Sequence, residues 1–341
     1  MLKILGFADD LTGALEAGAK FAGRGLRTVV TAKAGACAGY EATVVDTETR
    51  HLGRAEAEAV VEAMAGGDAD AVYKKTDSTL RGHIGAELRV LARVYGASVA
   101  YIPAYPAMGR TVRGGQLHLD GVPVHLTAFA RDGLNPVESS SIADIVGGGF
   151  ECVVYEGETD EEVAGAVRDA LGERGCRIVA GPASVAEEIA ARFGGARRKA
   201  ADWPTIRRCV VVNGSRHGAS ARQVEFARAR ETAMAEWRIV EGEARGGDGP
   251  LEVAARTGEA VVKLVAAERA DAVMAIGGDT AYGVWKALGC GALEPLGEAV
   301  AGVAVSRVMG TGLYLVTKAG GFGDEDVIFR VRRLLSGTDG E

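Results

Sequence analysis

Histidine is scarce in this chain of 341 residues, and its five copies are dispersed. None stands in an HExxH pattern or beside a cysteine at ligand spacing, so the common zinc-enzyme arrangements are excluded. Cysteine is also sparse: Cys37, Cys152, Cys176, Cys209 and Cys290 are odd in number, widely separated and never in a CxxC pair, which leaves neither a disulfide framework nor a metal knuckle. No apolar run reaches the roughly 18 residues that span a bilayer, and the opening MLKILGFADD lacks the apolar core and small-residue cleavage site of a signal peptide. A cytoplasmic protein with no membrane partner is expected. Positive charge is not concentrated either. There are 39 basic against 46 acidic residues, net −7, and Arg197-Arg198-Lys199 is too short a cluster to bind nucleic acid nonspecifically.

What the chain does have is length for two domains of ordinary size and an alternation of apolar runs with amphipathic stretches. Leu2 to Phe7, Thr28 to Thr31, Thr43 to Asp46, Ala71 to Tyr73 and Ser98 to Ile102 read as buried strands. Segments such as Arg54 to Ala65 and Gly82 to Tyr95 read as the helices between them, which predicts parallel βαβ units. The alternating stretch GGQLHLDGVPVHLT, with Asp120-Gly121 at its centre, predicts a two-residue hairpin beside that core. His118 and His125 belong to this hairpin as ordinary side chains. Its apolar alternation suits either a homodimer interface or packing on its own domain. The α/β pattern then resumes through Cys152 to Tyr155, Glu161 to Leu171, Arg177 to Ala180 and Ala183 to Phe193. Gly194 to Arg208, charged and holding Pro204, is the linker candidate. A second series follows: a strand from Cys209 to Val212, a helix near Ala219 to Met234, the loop GEARGGDGP, a helix from Leu251 to Arg269 and a strand from Ala272 to Ile276.

The chemistry-bearing residues fall where strands give way to helices. After the first strand comes FADDLTGALEAG, in which Asp10 or Thr12 suffices to cap the following helix and a second carboxylate is left over at a strand's C-terminal edge, where open α/β sheets bind ligands. Asp77-Ser78-Thr79-Leu80-Arg81-Gly82 brings a carboxylate, two hydroxyls and a guanidinium into one connection. That set suits a small polyhydroxylated anion, or else a capped helix with Arg81 solvated in its first turn. Arg110 and Arg113 add positive charge near the hairpin.

Three glycine-bearing loops follow apolar runs in the second half: Asn213-Gly214-Ser215, Gly277-Gly278-Asp279-Thr280 and Lys318-Ala319-Gly320-Gly321-Phe322-Gly323. The middle one turns a strand into a helix whose first N–H groups face a bound anion, or is simply a tight turn capped by Asp279 or Thr280. Neither GxxxxGK[ST] nor GxGxxG occurs, so a Walker site is excluded and a dinucleotide fold loses its main support.

FADDLTGA, YKKTDSTLRGHIGAEL, IPAYPAMGRTVRGGQLHLDGVPV, NGS, AIGGDTAYGVWKALG and TKAGGFGDED occur in this order. Through them nearly the whole chain resembles the four-carbon acid sugar kinases, the tetronate kinase family. The resemblance implies two α/β domains, 1–200 for the sugar acid and 207–336 for the nucleotide, each with a mostly parallel sheet flanked by helices, and an active site in the interdomain cleft. It implies ATP-dependent phosphorylation, with Mg²⁺, of the terminal C4 hydroxyl of an acid such as threonate, erythronate or an oxo-tetronate. Asp10 and Asp77 are then the catalytic candidates, with Asp9, Ser78, Arg81 and Arg110 as substrate binders. Ser215, Gly277, Gly278, Asp279, Thr280, Lys318, Gly320 and Gly321 are the nucleotide binders, and no side chain is assigned as a direct metal ligand. The last loop departs from the family's usual KSGNFG, lacking a hydroxyl and an amide, and the chain is shorter than typical members. A noncatalytic sugar-acid sensor is the competing reading. A phosphatase using Asp9 or Asp10 is disfavoured because DDLT lacks the DxDxT spacing.

Overall fold

The computed structural model describes residues 1–35, 37–197, 203–230, 234, 236–242 and 248–337. Arg198 and Lys199, the middle of the linker candidate, most of GEARGGDGP and the stretch 231–233 lie outside the described residues. The chain divides into two compact units, Met1–Ala196 and Arg197–Glu341.

Unit 1 runs β1 (Ile4–Ala8), α1 (Leu11–Gly23), β2 (Thr28–Thr31), β3 (Ala42–Asp46), α2 (Arg54–Met64), β4 (Ala71–Lys75), α3 (Ile84–Tyr95), β5 (Val99–Tyr101), β6 (Arg110–Arg113), β7 (Gln116–Leu119), β8 (Val122–Pro123), α4 (Ile142–Val146), β9 (Cys152–Val154), α5 (Asp160–Leu171), β10 (Ile178–Gly181) and α6 (Ala183–Phe193). Its main sheet has the order β2-β3-β1-β4-β10-β5-β9, with every neighbouring pair parallel. Helices cover such a sheet on both faces, so its central strands are buried throughout: β1 and β4 are buried at all five positions, β4 with Lys74 and Lys75 at its C-terminal end. β6, β7 and β8 form a separate antiparallel sheet. Asp120 (φ 50°) and Gly121 (φ 81°) both turn left-handed between β7 and β8, the conformation that a two-residue primed turn requires.

Unit 2 runs β11 (Cys209–Asn213), α7 (Gly218–Arg228), β12 (Trp237–Glu241), α8 (Pro250–Glu268), β13 (Ala272–Ile276), α9 (Gly278–Leu288), β14 (Ala292–Val300), β15 (Val303–Val308), β16 (Tyr314–Lys318) and α10 (Val327–Leu335). Its strand order is β12-β11-β13-β16-β15-β14, parallel as far as β16 and antiparallel beyond it. Its core gathers Val211, Trp237, Met274, Val305, Val316 and Val331, among others. The β14–β15 hairpin was not legible in the sequence, because Pro295 and Gly297 read as breakers. The register shift between these two residues is a bulge, which lets the ladder carry a residue without an N–H. α8 and α9 approach at glycines: a Cβ added at Gly258 would lie 2.1 Å from the Gly283 carbonyl oxygen. Among the described residues no helix is long and apolar enough to cross a membrane, and the five cysteines are free thiols.

Candidate functional site

In unit 1, β3, β1 and β4 are neighbours, so the loops leaving their C-terminal ends lie side by side. The leftover carboxylate of the DD pair is Asp9. Asp10 caps α1, its Oδ1 accepting from the Gly13 amide at 3.1 Å. Asp9 is 2% exposed and is gripped by Arg50, whose Nε and Nη2 donate to its two oxygens at 2.8 and 2.9 Å. The same Nη2 reaches Asp10 Oδ1 at 2.7 Å, and Nη1 lies 3.8 Å from Asp77. Arg50 therefore ties three carboxylates from two loops. Its position in the sequence, within TETRHLG, carried no motif that singled it out.

Asp77 is equally engaged. Its Oδ2 accepts from Thr79 Oγ1 at 2.5 Å and from the Thr79 amide at 3.0 Å, while Arg81 donates to both oxygens at 2.8 and 3.1 Å. Burial alone would raise both carboxyls. The Arg50 and Lys74 charges outweigh it for Asp9, and Arg81 with Arg50 holds Asp77 well below the usual carboxylate range. The opposite holds one loop away. Burial, reinforced by neighbouring carboxylates, pushes Asp46 up to about 8 and Glu48 up to about 10. Glu48 also sits at φ 48°, and an oxygen of each side chain is buried with no hydrogen-bond partner among the described residues.

The positive end of the cluster is Arg81 with Arg110. Arg81 Nη1 lies 3.3 Å from Asp132, and the guanidinium stands 5.3 Å from the Phe129 ring centroid. Arg110 donates to the Met108 carbonyl. Burial lowers its pKa, and the nearby Arg81 charge adds to that against the pull of Asp77 and Asp120. Ser78, at the half-buried start of the same turn, completes the substrate-side residues named from the sequence. Behind them Lys74 forms a buried ion pair with Glu87 at 2.5 Å, and Thr49 Oγ1 donates to the other Glu87 oxygen at 2.5 Å.

In unit 2, β11, β13 and β16 are consecutive and parallel, with Asn213 opposite Ile276 and Ile276 opposite Lys318. The three glycine loops therefore leave the sheet together. They touch closely. A Cβ at Gly214 would lie 2.1 Å from Thr280 Oγ1, and one at Gly320 would lie 2.0 Å from Ser215 Oγ. Gly277 precedes α9 at φ 109°, a conformation that side-chain-bearing residues rarely adopt. Asp279 lies in the first turn of α9, and Thr280 is buried. Ser215 Oγ accepts from the His217 amide at 3.2 Å. Lys318, 1% exposed, turns its ammonium back on its own loop and donates to the carbonyls of Ala319 and Phe322, each at 2.7 Å. Burial brings its pKa down to about 8. A glycine cradle at the head of a helix suits a phosphate-bearing nucleotide. Among the described residues no group of three or more His, Cys, Asp or Glu is placed to hold a metal ion.

Comparison with known proteins agrees with this division of chemistry. Residues 4–180 match the sugar-binding N-terminal domain model and residues 243–328 the nucleotide-binding C-terminal domain model. A D-threonate kinase of Bordetella bronchiseptica is 30% identical, the alignment covering 96% of this chain and 96% of the relative. The chain belongs to the four-carbon acid sugar kinase family. It is thus a sugar acid kinase, with the α/β architecture the resemblance implied. Within the family, a 3-oxo-tetronate kinase of Brucella melitensis is 25% identical over 96% of this chain and 95% of its own length. The alignment with the Bordetella kinase runs over 394 positions, more than this chain's 341 residues, so that relative carries segments without a counterpart here. Among solved structures, one from Salmonella typhimurium LT2 shares the fold with a TM-score of 0.77 at 22% identity, covering 98% of this chain and 99% of that one. A Bordetella bronchiseptica structure with bound citrate, a domain-swapped dimer, has a TM-score of 0.51 at 28% identity and covers 98% of both chains.

Proposed function

We propose that this kinase transfers the γ-phosphoryl group of ATP to the terminal C4 hydroxyl of a four-carbon sugar acid of the threonate, erythronate or oxo-tetronate type. The observation that supports the substrate class is the presence of Arg81, bound to Asp77, and the half-buried Arg110 in one small cluster of unit 1. Two guanidinium groups there can grip a carboxylate in a way that they cannot grip a neutral sugar. Ser78 and Asp77 are then the partners for substrate hydroxyls.

The proton acceptor is better assigned to Asp10 than to Asp77. Both Asp77 oxygens are occupied by Arg81, and its low pKa makes it a weak base. Among the described residues Asp10 makes its cap and its Arg50 contact through Oδ1, which leaves Oδ2 for a substrate hydroxyl. Asp9 acts through Arg50, fixing the guanidinium that orients Asp10.

On the nucleotide side the N–H groups of the α9 first turn and of Gly320-Gly321, with the Ser215 and Thr280 hydroxyls, are the groups that hold phosphate oxygens. Mg²⁺ bound with the nucleotide would neutralise charge on its phosphates; among the described residues no group of three or more His, Cys, Asp or Glu is placed to hold it. A homodimer is the proposed assembly, supported by the domain-swapped dimer of the Bordetella bronchiseptica structure.

The test is an ADP-release assay with Mg-ATP over D-threonate, D-erythronate, L-threonate and their oxo forms, run beside Asp10→Asn. Turnover on one acid that drops by about 10²–10⁴-fold in the variant supports the assignment, that being the usual worth of a general base. Absence of turnover on every acid, with sugar-acid binding retained in a thermal-shift screen, would favour the sensor reading instead.

A further inference from the structure

The Lys318–Gly323 loop is fixed from inside the protein. Lys318 Nζ donates to the carbonyls of Ala319 and Phe322 at 2.7 Å and lies 3.4 Å from that of Gly320. From α7, Ser220 Oγ donates to the Gly320 carbonyl at 2.7 Å. Gln223 Nε2, one turn further along the same helix face, donates to the carbonyls of Phe322 and Gly323 at 2.9 and 2.7 Å. Ser220 and Gln223 are fully buried and Lys318 is 1% exposed. Four of the loop's carbonyls are thus drawn inward. A peptide whose C=O points one way points its N–H the other way. The N–H groups of Gly320 and Gly321 bond to no acceptor among the described residues, and Gly321 is exposed.

We infer that Lys318, Ser220 and Gln223 are positioning residues that turn the loop's N–H groups outward as an anion receptor, and that Lys318 serves the nucleotide through the loop and not by touching phosphate. This rests on the nucleotide reading given above. It departs from the expectation that Lys318 itself binds the nucleotide, because an ammonium that contacts a phosphate has to leave the carbonyls it now binds. It also brings in two uncharged residues that no glycine motif contains.

The experiment measures Mg-ADP affinity by calorimetry for the wild type, Lys318→Met, Ser220→Ala and Gln223→Leu, together with hydrogen exchange of the peptide 319–323. Each of the three variants is expected to bind at least about tenfold more weakly, as loss of one or two positioning hydrogen bonds implies, with faster exchange in 319–323 and unchanged sugar-acid affinity. Lys318→Arg keeps a buried donor and should recover part of the loss. If Lys318→Met weakens binding while Ser220→Ala and Gln223→Leu stay within twofold of wild type, the lysine contacts phosphate directly and the inference fails. It fails equally if all three bind like wild type. Were the wild type itself to bind no nucleotide, the underlying reading would fall, a result separate from either of these. Ser220→Ala removes a single oxygen, which keeps the test valid should Lys318→Met not fold.

Discussion

Replacing Arg50 with methionine should destabilise the unit 1 site strongly. Arg50 is 8% exposed and donates to both oxygens of Asp9, itself 2% exposed, and to Asp10. Methionine fills much of the volume of the stem, so the loss is one of charge compensation: a carboxylate stays buried without its partner. Breaking a buried ion pair from one side costs about 3–5 kcal/mol. At roughly 2–4 °C per kcal/mol for a unit of this size, the melting temperature should fall by about 6–20 °C. The sign with pH is fixed. In the wild type Asp9 is held below its ordinary pKa, so its pairing stabilises at neutral pH and the benefit is lost as pH falls through the folded value. In Arg50→Met burial is no longer outweighed by Arg50, Asp9 takes up a proton in mild acid, and the gap to wild type should narrow from pH 7 to pH 5. Asp9→Asn/Arg50→Met removes both charges and should recover most of the stability. The assay is urea unfolding followed by far-UV circular dichroism, with hydrogen exchange over β1 and β3 to localise the loss. A deficit below about 1 kcal/mol at pH 7, or a double variant as unstable as the single one, would refute the reasoning.

Two further outcomes are expected. Asp46 and Glu48 are held protonated by burial, so their contribution to stability is complete below the ordinary carboxylate pKa and is lost as pH rises toward about 8 and about 10. Glu48→Gln should therefore gain on wild type in melting temperature between pH 5 and pH 8, and parallel curves would contradict this. Gly283→Ala places a Cβ 2.1 Å from the Ala254 carbonyl oxygen and should cost unit 2 about 1–3 kcal/mol, whereas Gly23→Ala in α1 meets nothing within 4 Å and should be neutral or slightly stabilising. Trp203, Trp237 and Trp285 all belong to unit 2, so tryptophan fluorescence reads the first of these directly.

The parts of the molecule that could be read from the sequence are those encoded by local pattern. β13 and α6 fall where their apolar periodicity puts them, because both are complete elements with clear breakers at each end. The three glycine loops were legible singly, and their convergence follows from β11, β13 and β16 being adjacent, a long-range pairing no local window contains. Arg50 escaped notice for the same reason. It lies 41 residues from Asp9, and an arginine after TET has no local signature of being buried. Ser220 and Gln223 read as ordinary polar positions of a helix, because the loop carbonyls they bind lie about 100 residues further along the chain. The β14–β15 hairpin was hidden by a proline that only a bulge renders tolerable.

The inward anchoring of the last glycine loop also bears on how this chain can differ from its relatives. A loop that holds its own shape through its side chains ties residue identity to geometry, and any exchange moves the main chain. Here the geometry is imposed by Lys318 at the end of β16 and by α7. The Ala319 side chain makes no part of that anchoring, whereas a Cβ at Gly321 would lie 3.3 Å from the His217 ring. The difference between KAGGFG and the KSGNFG that the resemblance led one to expect would then alter what lines the loop and not where it runs.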